Sequence, residues 1–255
     1  MSKQLIRFEK KDGVARITLA HSKRHNTLTP PLLSQLLEAL NTCQNAQTQV
    51  VILDAEGISF SLGGDVSEFF KVPQNKRATY AAEIVGLLNQ VIISLLKLPV
   101  PIIASVQGMV TGGSLGLVLA SDIVIASTQA SFTPWYTVVG FSPDGGWSKL
   151  MGEKIGPSRA LEIQLTNRSL QADKALDYGL VHYLTEASKL TSKTEEICQL
   201  ILNKKKNSLQ RTLKLSRPDP KAVAADLQIE YEQFLEQIVT DEAHYGMAEF
   251  LKQTP

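Results

Sequence analysis

The chain lacks most of what would mark a specialised compartment or a charged partner. Of its 255 residues only two are cysteines, Cys43 and Cys198. Two cannot staple a fold of this size, so an oxidising compartment is not implied. Neither charge sign dominates: 26 basic side chains stand against 25 acidic ones, without the basic excess of a nucleic-acid binder. The longest apolar stretch, Gly108 to Ala120, contains four glycines and is too short and too loose to span a bilayer. No histidine or cysteine cluster has metal-ligand spacing, and no metal is expected. Neither Gly-x-x-x-x-Gly-Lys-Ser/Thr nor Gly-x-Gly-x-x-Gly is present, so a phosphate-cradling loop is not expected. The N-terminus runs straight into alternating structure rather than a secretory signal, and Lys252-Gln253-Thr254-Pro255 matches no retention or peroxisomal tripeptide. The expectation is a cytoplasmic protein with neither membrane nor nucleic acid as partner.

What is present is a core. Hydrophobic residues make up 44% of the chain, enough for one large domain or one domain with a small appendage. Leu5 to Leu19 alternate around Asp12-Gly13, a hairpin signal. Thr29-Pro30-Pro31 opens a helix with Leu32, Leu33, Leu36, Leu37 and Leu40 on one face. The apolar run Val50 to Leu53 predicts a buried strand. A helix is expected over 76–97, with strands at 102–106, 123–126 and 130–132 and a buried helix over 117–120. Helices are expected at 157–165 and 172–178, then a strand at 180–184 after Gly179. From Thr191 on the pattern is helical, broken at Arg217-Pro218-Asp219-Pro220. Short strands alternating with helices predict an α/β core over residues 1–190 and a helical C-terminal subdomain over 191–255.

The glycines are ordinary in number and unusual in placement. Gly63-Gly64 and Gly112-Gly113 each follow a strand and precede helical sequence, and Gly145-Gly146 forms a third pair. Such turns leave backbone N–H groups aimed outward, and two of them converging on one oxygen make an oxyanion hole. For any single pair, a tight turn or close helix packing accounts for the glycines equally well. Gly112-Gly113-Ser114-Leu115-Gly116 also fits the serine-hydrolase elbow, with Asp173 or Asp177 and His182 or His244 in triad order downstream. The elbow needs its serine on the turn directly after a strand, and here Ser114 comes eight positions after Val106. That reading is the weakest.

Taken together, several segments resemble the crotonase superfamily of enoyl-CoA hydratases and isomerases along nearly the whole chain. They are Arg24-His25-Asn26-Thr27-Leu28, Phe60-Ser61-Leu62-Gly63-Gly64-Asp65, Pro99 to Gly108 leading into Gly112-Gly113-Ser114, Ser121-Asp122-Ile123, Leu165 to Arg168 and Ala175 to Val181. The resemblance implies a spiral of β-β-α turns with a helical C-terminal trimerisation region, assembled as a homotrimer or dimer of trimers. It implies an acyl-CoA substrate, a CoA thioester and no separate cofactor. It places oxyanion donors at the N–H groups of Gly64 and Gly113. It implies substrate contacts at Arg24, Asn26, Leu28 and Leu62, an acyl-pocket wall at Phe69, and a CoA-proximal region at Phe250 and Lys252 that reaches a neighbouring subunit.

The departures choose the subclass. The two glutamates of the resembled hydratases would fall at Gly116 and Tyr136, and neither position carries a carboxylate. Adding water needs one group to take a proton and another to give one. Asp144, in Ser142-Pro143-Asp144-Gly145-Gly146-Trp147, resembles the single acid of peroxisomal-type Δ3,Δ2-enoyl-CoA isomerases. One carboxylate suffices to move a double bond, and Asp144 is expected to carry a raised pKa beside Phe141 and Trp147. Pro-Asp-Gly is also simply a strong turn signal. Trp135, Tyr136, Phe141 and Trp147 together suggest an aromatic acyl pocket, with a dehalogenase-like enzyme as the alternative and Asp144 its nucleophile. A hydratase and a non-catalytic acyl-CoA-binding scaffold complete the alternatives.

Overall fold

A computed structural model describes residues 4–44 and 47–253. The first three residues and Thr254-Pro255, read above for targeting signals, lie outside them. The chain opens with β1 (Ile6–Lys11) and β2 (Val14–Leu19), then α1 (Pro30–Cys43) and β3 (Val50–Ala55). Next come α2 (Val66–Lys71), α3 (Arg77–Lys97), β4 (Ile102–Val106) and β5 (Met109–Thr111). The middle holds α4 (Leu115–Leu119), β6 (Ile123–Ser127), β7 (Ser131–Thr133), α5 (Tyr136–Val139), α6 (Leu150–Ile155) and α7 (Pro157–Thr166). The rest is β8 (Leu170–Gln171), α8 (Ala172–Asp177), β9 (Tyr183–Thr185), α9 (Leu190–Leu202), α10 (Lys206–Ser216), α11 (Pro220–Gln237) and α12 (Asp241–Gln253).

Local chemistry sets the early elements. Asp12 and Gly13 both take positive φ, 50° and 82°, the pair a two-residue hairpin turn requires, and β1 pairs antiparallel with β2. Thr29 caps α1 by accepting from the Leu32 N–H at 3.4 Å, and Pro30-Pro31 fill the first turn where no intrahelical donor is needed. The main sheet runs β1-β2-β3-β4-β6-β9, parallel from β2 onward. A second, three-stranded sheet runs β5-β7-β8. The Val50 to Leu53 run is buried on both faces: Val51 and Leu53 face α1 and α3, while Val50 and Ile52 join Ile103 and Ile125 beneath α9. With its preceding turn, α3 is long and apolar enough to cross a membrane, but its apolar face (Ile84, Leu88, Val91, Ile92 and Leu95) is core.

Three expectations shift. The strand expected at 180–184 begins only at Tyr183, because Leu180 and Val181 donate back to the Ala175 carbonyl at 2.9 and 3.0 Å and close the end of α8. The loop before Gly112 contains β5, which pairs with β7. α5 and α6 add helix where none was expected.

The break at Arg217-Pro218-Asp219-Pro220 is an anchor. Arg217 forks onto both Asp122 oxygens at 2.7 and 2.6 Å and donates to the carbonyls of Leu96, Leu98 and Val100. Asp219 then caps α11, whose first turn begins with Pro220, and α11 lies along α3.

Candidate active site

A cleft of about 590 Å³ lies between α2, α3, α5, α11, α12 and the glycine loops. Backbone pairing brings the two loops together. Phe60 and Ser61 donate to the Met109 carbonyl, and Thr111 donates to Ser61 at 3.0 Å, so the first loop lies along β5. Leu28 donates to the Gly63 carbonyl at 2.8 Å in a parallel bridge to Gly64. In such a bridge the bonds go to the flanking residues, which turns the Gly64 N–H away from Leu28. Gly113 sits at the start of a short 3-10 turn, where an N–H has no intrahelical acceptor. Both glycines line the cleft.

Asp144 lies against Gly113. A Cβ added to Gly113 would stand 2.7 Å from Asp144 Oδ1 and 2.7 Å from Leu88 Cδ2, so a larger residue would have to displace the tips of both side chains. Asp144 is 7% exposed, and the Tyr136 hydroxyl donates to its Oδ1 at 2.5 Å. Burial pushes the Asp144 carboxyl up to about 7, against the pull of the Tyr136 hydrogen bond and with a further push from Glu230. Burial first, and then the Asp144 charge, raises the Tyr136 phenol well above its ordinary value, so it stays a proton donor in this pair.

The positions where a second acid was sought are filled. A Cβ at Gly116 would stand 2.5 Å from Ile92 Cδ1 and 2.6 Å from the Gly145 carbonyl oxygen, leaving no volume for a longer side chain. Tyr136 holds the other position with its phenol committed to Asp144. Asp65, a further cleft carboxylate, caps α2 by accepting from the Ser67 and Glu68 N–H groups and pairs with Arg24. Burial pushes the Asp65 carboxyl up, but the Ser67 hydroxyl and Arg24 outweigh it and hold it below its ordinary value. It remains ionised and is poorly suited to give a proton.

Most of the residues singled out in the sequence meet here. Leu28, Leu62, Phe69, Trp135, Tyr136 and Phe141 line the cleft with the two glycines and Asp144. Arg24 and Phe250 stand at its outer part, Arg24 engaged by Asp65 and Glu68. Phe250, expected near a neighbouring subunit's ligand, packs edge-on against Trp135 at 5.5 Å and walls the cleft of its own chain.

Asn26 and Lys252 are not among the lining residues. Asn26 is fully buried and donates to the carbonyls of Glu56, Ser59 and Phe60, bracing the first loop from behind. Lys252 is exposed on α12. Trp147 is buried outside the cleft, its indole N–H donating to the Gly112 carbonyl at 2.8 Å. The hydrolase arrangement is absent. Ser114 is fully buried and donates to the Thr111 and Ser61 carbonyls, His182 Nδ1 accepts from the Val124 N–H, and His244 Nδ1 faces Arg77.

Sequence reasoning passed over Glu230 and Phe234 of α11. Phe234 packs against Phe69 and Phe141, with ring centres 6.1 and 5.4 Å apart, and lines the buried end of the cleft. Glu230, on the same helix, is buried. A glutamate on an amphipathic helix gives no local sign that it is buried.

Comparison with known proteins agrees with this geometry. The model of the enoyl-CoA hydratase/isomerase family matches residues 9–255. The chain is 31% identical over 193 residues to a trans-2-decenoyl-[acyl-carrier-protein] isomerase of Streptococcus mutans, covering 75% of this chain and 73% of that protein. It is 31% identical over 195 residues to a 4-chlorobenzoyl coenzyme A dehalogenase of an Arthrobacter species, covering 76% and 71%. The crystal structure of an enoyl-CoA hydratase from Bacillus halodurans superposes with a TM-score of 0.91 at 22% identity, over 96% of this chain and all of that one, which shows the shared fold.

Proposed function

The chain belongs to the enoyl-CoA hydratase/isomerase family, and within it we propose a Δ3,Δ2-enoyl thioester isomerase with Asp144 as its acid–base group. The observation that carries this reading is the lone buried carboxylate at Gly113, with no space for a second at Gly116 and a phenol at Tyr136.

The Asp144 carboxylate takes a proton from C2 of a 3-enoyl thioester. The electron pair moves into the C1–C2 bond and the thioester oxygen becomes a dienolate, held by the N–H groups of Gly64 and Gly113. The Asp144 acid then returns the proton at C4, which leaves the double bond between C2 and C3. A base whose pKa lies near 7 suits both halves of this exchange. The thioester is the substrate and no separate cofactor enters. The same reading expects a cytoplasmic homotrimer or dimer of trimers, which sedimentation checks.

Incubation with a 3-enoyl-CoA is expected to yield the conjugated 2-enoyl product. Asp144→Asn, which keeps the shape and removes the base, is expected to lower the rate at least about a hundredfold. Equal rates in the two proteins sink the role of Asp144. Tight binding of CoA esters without turnover of any of them favours a non-catalytic protein instead. The aromatic rings of Phe69, Phe141 and Phe234 favour one second reading, an aromatic acyl-CoA enzyme. Chloride release from 4-chlorobenzoyl-CoA separates it.

A further inference from the structure

We propose that Glu230 is a positioning residue for Asp144, and that one face of α11 is the seat on which the acid-bearing loop is set. This rests on the acid–base role of Asp144 proposed above. The carboxylate of Glu230 is buried, and three donors of the 140–148 loop converge on it. Oε2 accepts from the Gly146 N–H at 2.7 Å, and Oε1 accepts from the Ser148 N–H at 2.9 Å and from its hydroxyl at 2.5 Å. Seven residues on, two helical turns along the same face, Gln237 donates to the Gly140 carbonyl at 3.0 Å. Phe234 stands between them and packs on Phe141. The face Glu230, Phe234, Gln237 thus grips the loop at both ends and in the middle, and Asp144 lies inside the grip.

The charge of Glu230 acts as well as its shape. The groups facing Asp144 are the Tyr136 phenol from α5 and Glu230 from α11. Those acting on Glu230 are Ser148, the Gly146 N–H and Asp226 of its own helix. Burial pushes the Glu230 carboxyl up and outweighs the pull of its three donors, so it stays above its ordinary value. Where Glu230 is ionised, a second anion at Asp144 is costlier, which adds to the upward push on the Asp144 carboxyl.

The test combines Glu230→Gln and Glu230→Asp with a readout that needs no turnover. The titration of Asp144 is followed by carbon-13 resonance of Cγ-labelled aspartate, assigned by its loss in Asp144→Asn. In Glu230→Gln one oxygen becomes an amide that meets an N–H with an N–H, and the charge is gone. The Asp144 midpoint is expected to move to lower pH by about half a unit, and kcat on a 3-enoyl-CoA to fall about tenfold with KM within about twofold. In Glu230→Asp the charge stays but the reach shortens, so the midpoint stays while kcat falls. An unmoved midpoint in folded Glu230→Gln overturns the proposal. If that variant does not fold, wild-type kcat in Glu230→Asp overturns it. Absence of turnover in the parent protein overturns the isomerase reading alone, since the titration still reports on Glu230.

Discussion

At the scale of single residues, the site stores a conflict between stability and chemistry in Asp144. Its folded-state pKa, about 7, lies above the ordinary carboxylate value, so the folded protein binds that proton more tightly than the unfolded chain does. The stability this confers is complete below about pH 4, is lost as the pH rises through about 7, and stays lost above. Asp144→Asn removes the penalty of a buried anion, an effect of up to about 4 kcal/mol from the size of the shift. It is therefore expected to raise the melting temperature at pH 8, and to raise it much less at pH 5. Thermal unfolding at the two pH values checks this. For turnover the sign is opposite: the base must be ionised, so kcat/KM of the parent enzyme is expected to climb with pH through about 7. Gly113→Ala is the matching steric experiment. Its Cβ would meet Asp144 Oδ1 and Leu88 Cδ2, each at 2.7 Å. A loss of about tenfold or more in kcat is expected with the fold retained, by steady-state kinetics and circular dichroism.

At the scale of elements, the sequence was most legible where the physics is local. The Asp12-Gly13 turn, the Thr29 cap and the leucine face of α1 all declare themselves within a few residues. The glycine pairs and Pro143-Asp144-Gly145 were legible only as turns; their meeting at one cleft was suggested by the resemblance alone, because Asp144 packs against a glycine some thirty positions away. β5 was not legible: Met109-Val110-Thr111 is a strand only because β7 and the 60–63 loop lie beside it. Glu230 was hidden for the same reason, since its burial depends on a loop more than eighty positions away. Phe250 lines the cleft as a substrate-contacting position, held there by its edge-on packing against Trp135. Arg217 shows how much one such long-range contact carries. It joins the turn between α10 and α11 to Asp122 and to the carbonyls of Leu96, Leu98 and Val100, at the end of α3 and just beyond it. Arg217→Ala strands the Asp122 carboxylate and is expected to cost about 3 kcal/mol, read from the midpoint of urea unfolding at unchanged slope.

At the scale of the whole molecule, one closed unit of chemistry draws on four distant stretches. Residues near 64 and 113 line the cleft, Asp144 lies beside them, and the face that holds its loop runs from 230 to 237. The main sheet supplies the frame, and the helices beyond residue 190 close it, α9 on one side of the sheet and α11 and α12 around the cleft. That order has a temporal consequence. A chain emerging from the ribosome presents its glycine loops first and its acid next, but the acid loop has nothing to sit on until α11 has been synthesised and has docked on α3. The contacts that seat the acid-bearing loop are therefore among the last the chain can make during synthesis. A chain ended before Glu230 lacks the donors' partner at Gly146 and Ser148 and is expected to lose the seat of the Asp144 loop.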